Sequence, residues 1–165
     1  MSIVTYSPED VIILLGGVYA VEGLVEGSFV SIAKESPQYN TITTADGRVS
    51  RVNIEDPTHL VTININSFSD SNLVFTAWAA TDEMVQSAMF PLLIKDGMGS
   101  TLFYAPLCWV ESTAEVEFDI GITGRKWVLR SAGGRLVAGG NGGGGVVDSN
   151  LTALGLVAAD FGGLL

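Results

Sequence analysis

Residues 67–99 constrain this chain most, because they set one amphipathic helix among runs that otherwise read as strands. Ser69 sits where a helix N-cap belongs, and Asp70 is favourable at the positive end of the helix dipole. Leu73, Ala77, Ala80 and Met84 recur at helical spacing, with Val74, Trp78 and Val85 on an adjoining stripe. The spacing predicts a helix over about 70–85 that packs through Leu73, Ala77, Trp78 and Met84. An apolar strand over 90–94 follows, then a turn at Lys95-Asp96-Gly97-Met98-Gly99. A nearly all-β chain with one packing helix and no catalytic equipment reads as a building block.

Composition narrows this further. The 165 residues suit one domain with a full core. Hydrophobic residues make up 47% and charged residues 16%, which predicts an ordered fold in wide contact with other subunits. The net charge of −10, from 18 acids against 8 bases, argues against a protein that grips nucleic-acid phosphates. It is compatible with a surface past which nucleic acid slides. The single cysteine, Cys108, allows no internal disulfide and fits assembly in a cytosol. No signal peptide is expected, since Glu9 and Asp10 precede the first apolar run and no basic residue does. That run, 11–21, contains two glycines and is too short to span a bilayer, so no membrane segment is expected.

Along the chain, residues 1–9 read as a loose arm. Val11–Leu15 reads as a strand buried on both faces, interrupted by Gly16 and Gly17. Gly23 and Gly27 bracket a turn before a strand through Phe29, Val30 and Ile32. Residues 35–59 are poor in large apolar side chains and contain Pro37, Pro57 and an Asp46-Gly47 turn signal between TITT and RVSRV. They predict an extended loop or exposed ribbon, either an ordinary surface hairpin or a segment that reaches a neighbouring subunit or ring and becomes ordered only in assembly, with Thr41, Asp46, Gly47, Arg48 and Arg51 as contact candidates. In the next strand Val61, Ile63 and Ile65 face one way and Thr62, Asn64 and Asn66 the other. An aromatic-rich strand covers 101–110, with Pro106 placing a bulge or an edge. Over 115–122 the pattern predicts a two-faced strand. Glu115, Glu117 and Asp119 lie opposite Val116, Phe118, Ile120 and Ile122. Residues 125–137 return through Trp127, Val128 and Leu129. Past 138 the composition turns to GGNGGGG, a linker by composition, followed by a C-terminal extension to residue 165.

Chemical sites are scarce. His59, the only histidine, has no second histidine or cysteine beside it to share a metal, and reads as a packing or surface residue. Cys108, between Leu107 and Trp109, reads as a buried, inert thiol. The glycine run from Gly140 matches a nucleotide-binding fingerprint only by composition. Glu115 and Glu117 point the same way on one strand, unlike glycosidase carboxylates that face each other across a cleft. Arg125 and Lys126 form the one basic cluster and predict a salt link to an acidic neighbour, within the chain or in another subunit. No catalytic residue, metal or cofactor is expected.

The order of motifs resembles the tail-tube proteins of contractile-tailed bacteriophages, a family described as phage structural proteins. It is carried by GGVYAVEGLVEGSFVSIAKES, TADGRVSRV, HLVTININSFSDSNLVFTAWAATDE, FPLLIKDGMGSTLFYAPLCWVES and RKWVLRSAGGRLVAGGN, over most of residues 10–141. The resemblance implies a tail-tube β domain over 1–138, mainly β with one flanking helix, of β-sandwich or half-barrel type. Six copies would complete a continuous barrel, and the rings would stack into a tube. The implied partners are further copies, a sheath, a tape-measure protein and baseplate or terminator proteins, with DNA passing through unbound. The implied place is the virion tail. Repeated carboxylates at Glu115, Glu117 and Asp119 then suit a lumen that keeps DNA mobile. An acidic outer face meeting sheath is the other reading. The tube of a tailocin or secretion system, and a virion β-sandwich binding module, are the competing assignments.

Overall fold

The computed structural model describes residues 6–140, so most of the expected arm and of the 139–165 extension lies outside the described residues. The chain opens with a 3-10 turn, Pro8–Asp10, and strands β1 (Val11–Leu15), β2 (Tyr19–Ala20) and β3 (Val30–Lys34). Strands β4 (Tyr39–Thr43), β5 (Val49–Asn53) and β6 (His59–Asn66) come next, then helix α1 (Ser71–Val85). Strands β7 (Phe90–Asp96), β8 (Leu102–Ser112), β9 (Gly124–Ala132) and β10 (Arg135–Val137) complete the order. The fold is mainly β with one helix, antiparallel, and its strand paths stay open rather than closing into a barrel among the described residues.

The chain divides into two compact units. Of the described residues, the first comprises 6–21, Met89–Leu107 and 134–140. Here β1 pairs with β7, setting Ile13 opposite Ile94 and Leu15 opposite Leu92, and all four side chains are buried. Ile12 is half exposed, so β1 is covered on one face rather than the expected two. The reason lies in its strict alternation within an antiparallel pair, which gives one face to the core and one to solvent. Gly16 and Gly17 take φ of 62° and 76° in the turn to β2, a conformation that a side chain would strain. Strand β7 runs through Asp96, past the predicted start of the turn, because Val11 still pairs with Asp96. In β8, Phe103 and Ala105 are buried, then Pro106 and Leu107 are both exposed. Cys108 is buried again, so the inward register slips by one residue at the proline, as a bulge requires.

The second unit comprises Glu22–Ala88 and Cys108–Gly133. Its centre is β6, antiparallel to β9 from His59↔Ser131 to Asn66↔Gly124 and to β3 on its other side. Val61, Ile63 and Ile65 are fully buried, as their alternation predicts. His59 is buried, with Nδ1 3.0 Å from the Pro57 carbonyl, and is a packing residue.

Helix α1 begins where Ser69 gathers contacts. Its hydroxyl accepts the Ser71 N–H at 3.2 Å and donates to the Glu22 carbonyl at 2.6 Å. Asp70, in the cap position, makes no side-chain cap bond. Gly23 (φ +73°) lies so close that a Cβ there would come within 2.6 Å of the Ser69 Cβ. The helix ends at Gln86, held at φ 54°, whose N–H reaches the Asp82 carbonyl at 2.7 Å.

The buried side of α1 differs from the predicted stripe. Leu73 is 70% exposed and Met84 85%, Ala77 is also exposed, and Trp78 is half-buried. The helix instead turns Ser71, Asn72 and Phe75 inward. Phe75 stacks on Trp127 with centroids 5.3 Å apart. The buried Asn72 carboxamide accepts the Trp127 indole N–H at 2.9 Å and donates to the Asn66 and Ser69 carbonyls at 2.9 and 3.0 Å. Two polar residues on the inward face defeat an apolar-periodicity reading. In the monomeric chain, Phe75→Ala is expected to cost about 3–5 kcal/mol and Leu73→Ala no more than about 0.5 kcal/mol. Urea unfolding followed by tryptophan fluorescence checks both, and the reverse ranking would put the Leu73 face inward.

Candidate assembly interface

The second unit carries three surfaces with apolar side chains in solvent. The ribbon β4–β5 is exposed at every residue, with Ile42, Val49 and Val52 among its large side chains. A two-stranded ribbon is marginal alone, so its ends must hold it. At the tip, Gly47 takes φ +83° and donates its N–H to Thr44 O at 2.9 Å, as the Asp46-Gly47 signal predicts. Asp46 accepts the Thr44 hydroxyl and pairs with Arg48 at 3.2 Å. Arg51 lies over the Tyr39 ring at 4.5 Å, and Thr41 faces Arg51 across the ladder. At the root, Asp56 accepts the Ser36 hydroxyl at 2.5 Å and both the N–H and the hydroxyl of Thr58, at 3.0 and 2.5 Å. These bonds, the Ser36 bond foremost, lower the Asp56 carboxyl to about 2. Glu35 beside this root pairs with Arg130 at 2.5 Å, and Arg130 approaches Glu111 at 3.4 Å.

The second surface is the outward side of α1, with Leu73 and Met84. The third is the stretch 113–123, where the structure departs from expectation. No strand forms there, and both sides of the chain are exposed. Phe118 is 93% exposed and Ile122 67%. The alternation is present in the sequence, but the chain offers this stretch no ladder partner. The lumen role expected for Glu115, Glu117 and Asp119 rested on Val116, Phe118 and Ile120 packing into the chain's own core, and that support is gone.

Other sequence candidates carry no chemistry. Cys108 is fully buried, and burial raises its thiol to about 12, with the Ser131 hydroxyl beside it offsetting part of the rise. No cluster of three or more potential metal ligands exists among the described residues. Arg125 and Lys126 take part in none of the three ion pairs of the described residues. No described helix is long and apolar enough to cross a membrane.

With this geometry established, the chain can be set against known proteins. Three solved structures share its fold. One is a chain of the anti-feeding prophage tube-terminating cap, TM-score 0.58 at 12% identity, covering 84% of this chain and 94% of that one. A second is a chain of the PVC sheath–tube complex, an extracellular contractile injection system in its extended state, TM-score 0.58 at 14% identity, with 81% and 92% covered. The third belongs to the PVC sheath/tube terminator, TM-score 0.53 at 13% identity, with 81% and 97% covered. In sequence, the chain is 28% identical over 144 residues to structural protein ORF10 of Pseudomonas phage KPP10, covering 83% of each. No protein-family profile matches.

The Asp56 clamp makes a pH prediction. A carboxyl lowered from 3.8 to about 2 supports the fold fully above pH 3.8, and that support is lost as pH falls through about 2. Carbon-13 NMR titration of Asp56 is expected to show its midpoint near 2, with Ser36→Ala moving it upward. A wild-type midpoint at the ordinary 3.8 would mean the clamp is not made in solution.

Proposed function

We propose that this chain is a structural subunit of a contractile tail or injection machine, forming hexameric rings that stack into its inner tube. The observation that carries the reading is the fold, shared along most of its length with chains of two machines, the anti-feeding prophage and the PVC contractile injection system. The phage structural protein points the same way in sequence. The surfaces add a physical argument. Phe118, Ile120 and Val49 lie in solvent with none of the described residues covering them, and a subunit that spends its life in contact can carry such side chains. On this reading the tube sits in a virion tail or an injection device of tailocin or secretion type. Its partners are a sheath, a tape-measure protein and a baseplate or terminator, and DNA passes through without specific contacts. The work is mechanical, with no reaction catalysed.

A second reading is favoured by two of the structural matches, which come from a tube-terminating cap and a sheath/tube terminator. A terminator forms one ring and stops. Sedimentation across concentration with negative-stain imaging separates the possibilities. Stacked rings are expected for a tube subunit and single rings for a terminator. A chain that stays monomeric at every concentration would exclude both. Within the tube reading, deleting residues 41–51 is expected to leave a folded subunit that stacks poorly, and normal tubes from that deletion would remove the ribbon from the assembly contact.

A further inference from the structure

Two exposed elements of the second unit match each other in pattern and charge. In the ribbon, the cross-strand register puts Tyr39 and Arg51 on one face and Ile42 and Val52 on the other. The stretch 115–122 alternates too, with Glu115, Glu117 and Asp119 at odd positions and apolar side chains at the even ones. Residues 39–53 contain Arg48 and Arg51 against Asp46, a net +1, whereas 115–122 contains three acids and no base. The outer edge of β5 is unpaired, and 115–122 has no ladder of its own.

Their roots lie at opposite ends of β6. The ribbon leaves at the His59 end, where the Glu35 N–H donates to Thr58 O at 3.1 Å. The acidic stretch returns at the Asn66 end, where Gly124 pairs with Asn66 and the Ser67 N–H donates to Thr123 O at 2.9 Å. The length of β6 separates these ends by about 23 Å, at roughly 3.3 Å per residue step. Among the described residues, every residue of both elements is exposed, with Ile42, Val52 and Val116 about half so.

We propose that residues 115–122 of one copy add as a strand to the outer edge of β5 in the next copy, with Glu117 beside Arg51 and the Phe118 side of the strand over Val52. This rests on the self-assembly reading above and names the surfaces that meet. Any register that sets a carboxylate on the Arg51 face puts the apolar residues on the Ile42 and Val52 face, and Glu117 beside Arg51 centres the three acids on that arginine. A slip by one residue would break both at once. The two elements are different surfaces of the chain, so where each copy gives 115–122 to the β5 edge of the next the contact is heterologous and propagates into a ring or a stack.

Two experiments on the 165-residue chain test it. In the first, Arg51→Glu and Glu117→Arg are each expected to raise the concentration for half assembly about tenfold, and the combined variant to return it toward wild type. In the second, separately purified Arg51→Cys and Glu117→Cys proteins are mixed under a mild oxidant. A covalent dimer joining one of each is expected, with buried Cys108 unreactive. The second experiment decides the matter if a charge variant fails to fold. If wild-type protein assembles but the mixture gives no such dimer and the charge exchange gives no rescue, the pairing is wrong and the assembly reading stands. If wild-type protein never assembles, both fall together.

Discussion

The second unit is organised by one buried side chain, Asn72. Its carboxamide takes the Trp127 indole proton and gives its own protons to two backbone carbonyls, at the junction of β6 and the helix. A buried amide left unpaired costs roughly 1–3 kcal/mol, so these bonds fix where the helix sits as well as that it sits. Phe75 stacks on the same indole and supplies the apolar half of the contact. Trp127 lies opposite Ile63 in the ladder, which puts the indole on the face of β6 that carries Val61, Ile63 and Ile65.

This arrangement explains which parts of the chain were legible beforehand. The strand through Val61, Ile63 and Ile65 is readable because burial on one face writes period-2 alternation directly into the residues. The Asp46-Gly47 hairpin is readable because its turn needs a positive φ that Gly47 supplies. The helix is readable in extent but not in orientation. Its inward positions include Ser71 and Asn72, chosen for hydrogen bonds, while Leu73 and Met84 face solvent. Ile12 departs for a related reason: a continuous apolar run cannot say whether its second face is covered by its own chain.

The stretch around Phe118 shows another boundary. Its alternating pattern is as regular as that of β6, but pattern describes a strand's two faces and not the strand that pairs with it. Exposed apolar side chains there, on the ribbon and on the helix fit the low charged content of the chain, and both suit a molecule whose surface is shared with others. The mechanical reading rests on the fold and on these surfaces.

The meeting of Gly23 with Ser69 has a consequence for how the chain acquires its structure. Helical turns ordinarily form in well under a microsecond from neighbours in sequence alone. Here the Ser69 hydroxyl that receives the first helical N–H is also bonded to the Glu22 carbonyl, 47 positions away. The Ser71 hydroxyl in turn accepts the Glu22 N–H at 3.0 Å. The first turn of α1 is therefore completed by a distant segment, and that segment fits only because position 23 has no side chain. A step that is local in most proteins becomes long-range, which ties the helix to the slower timescale of sheet closure.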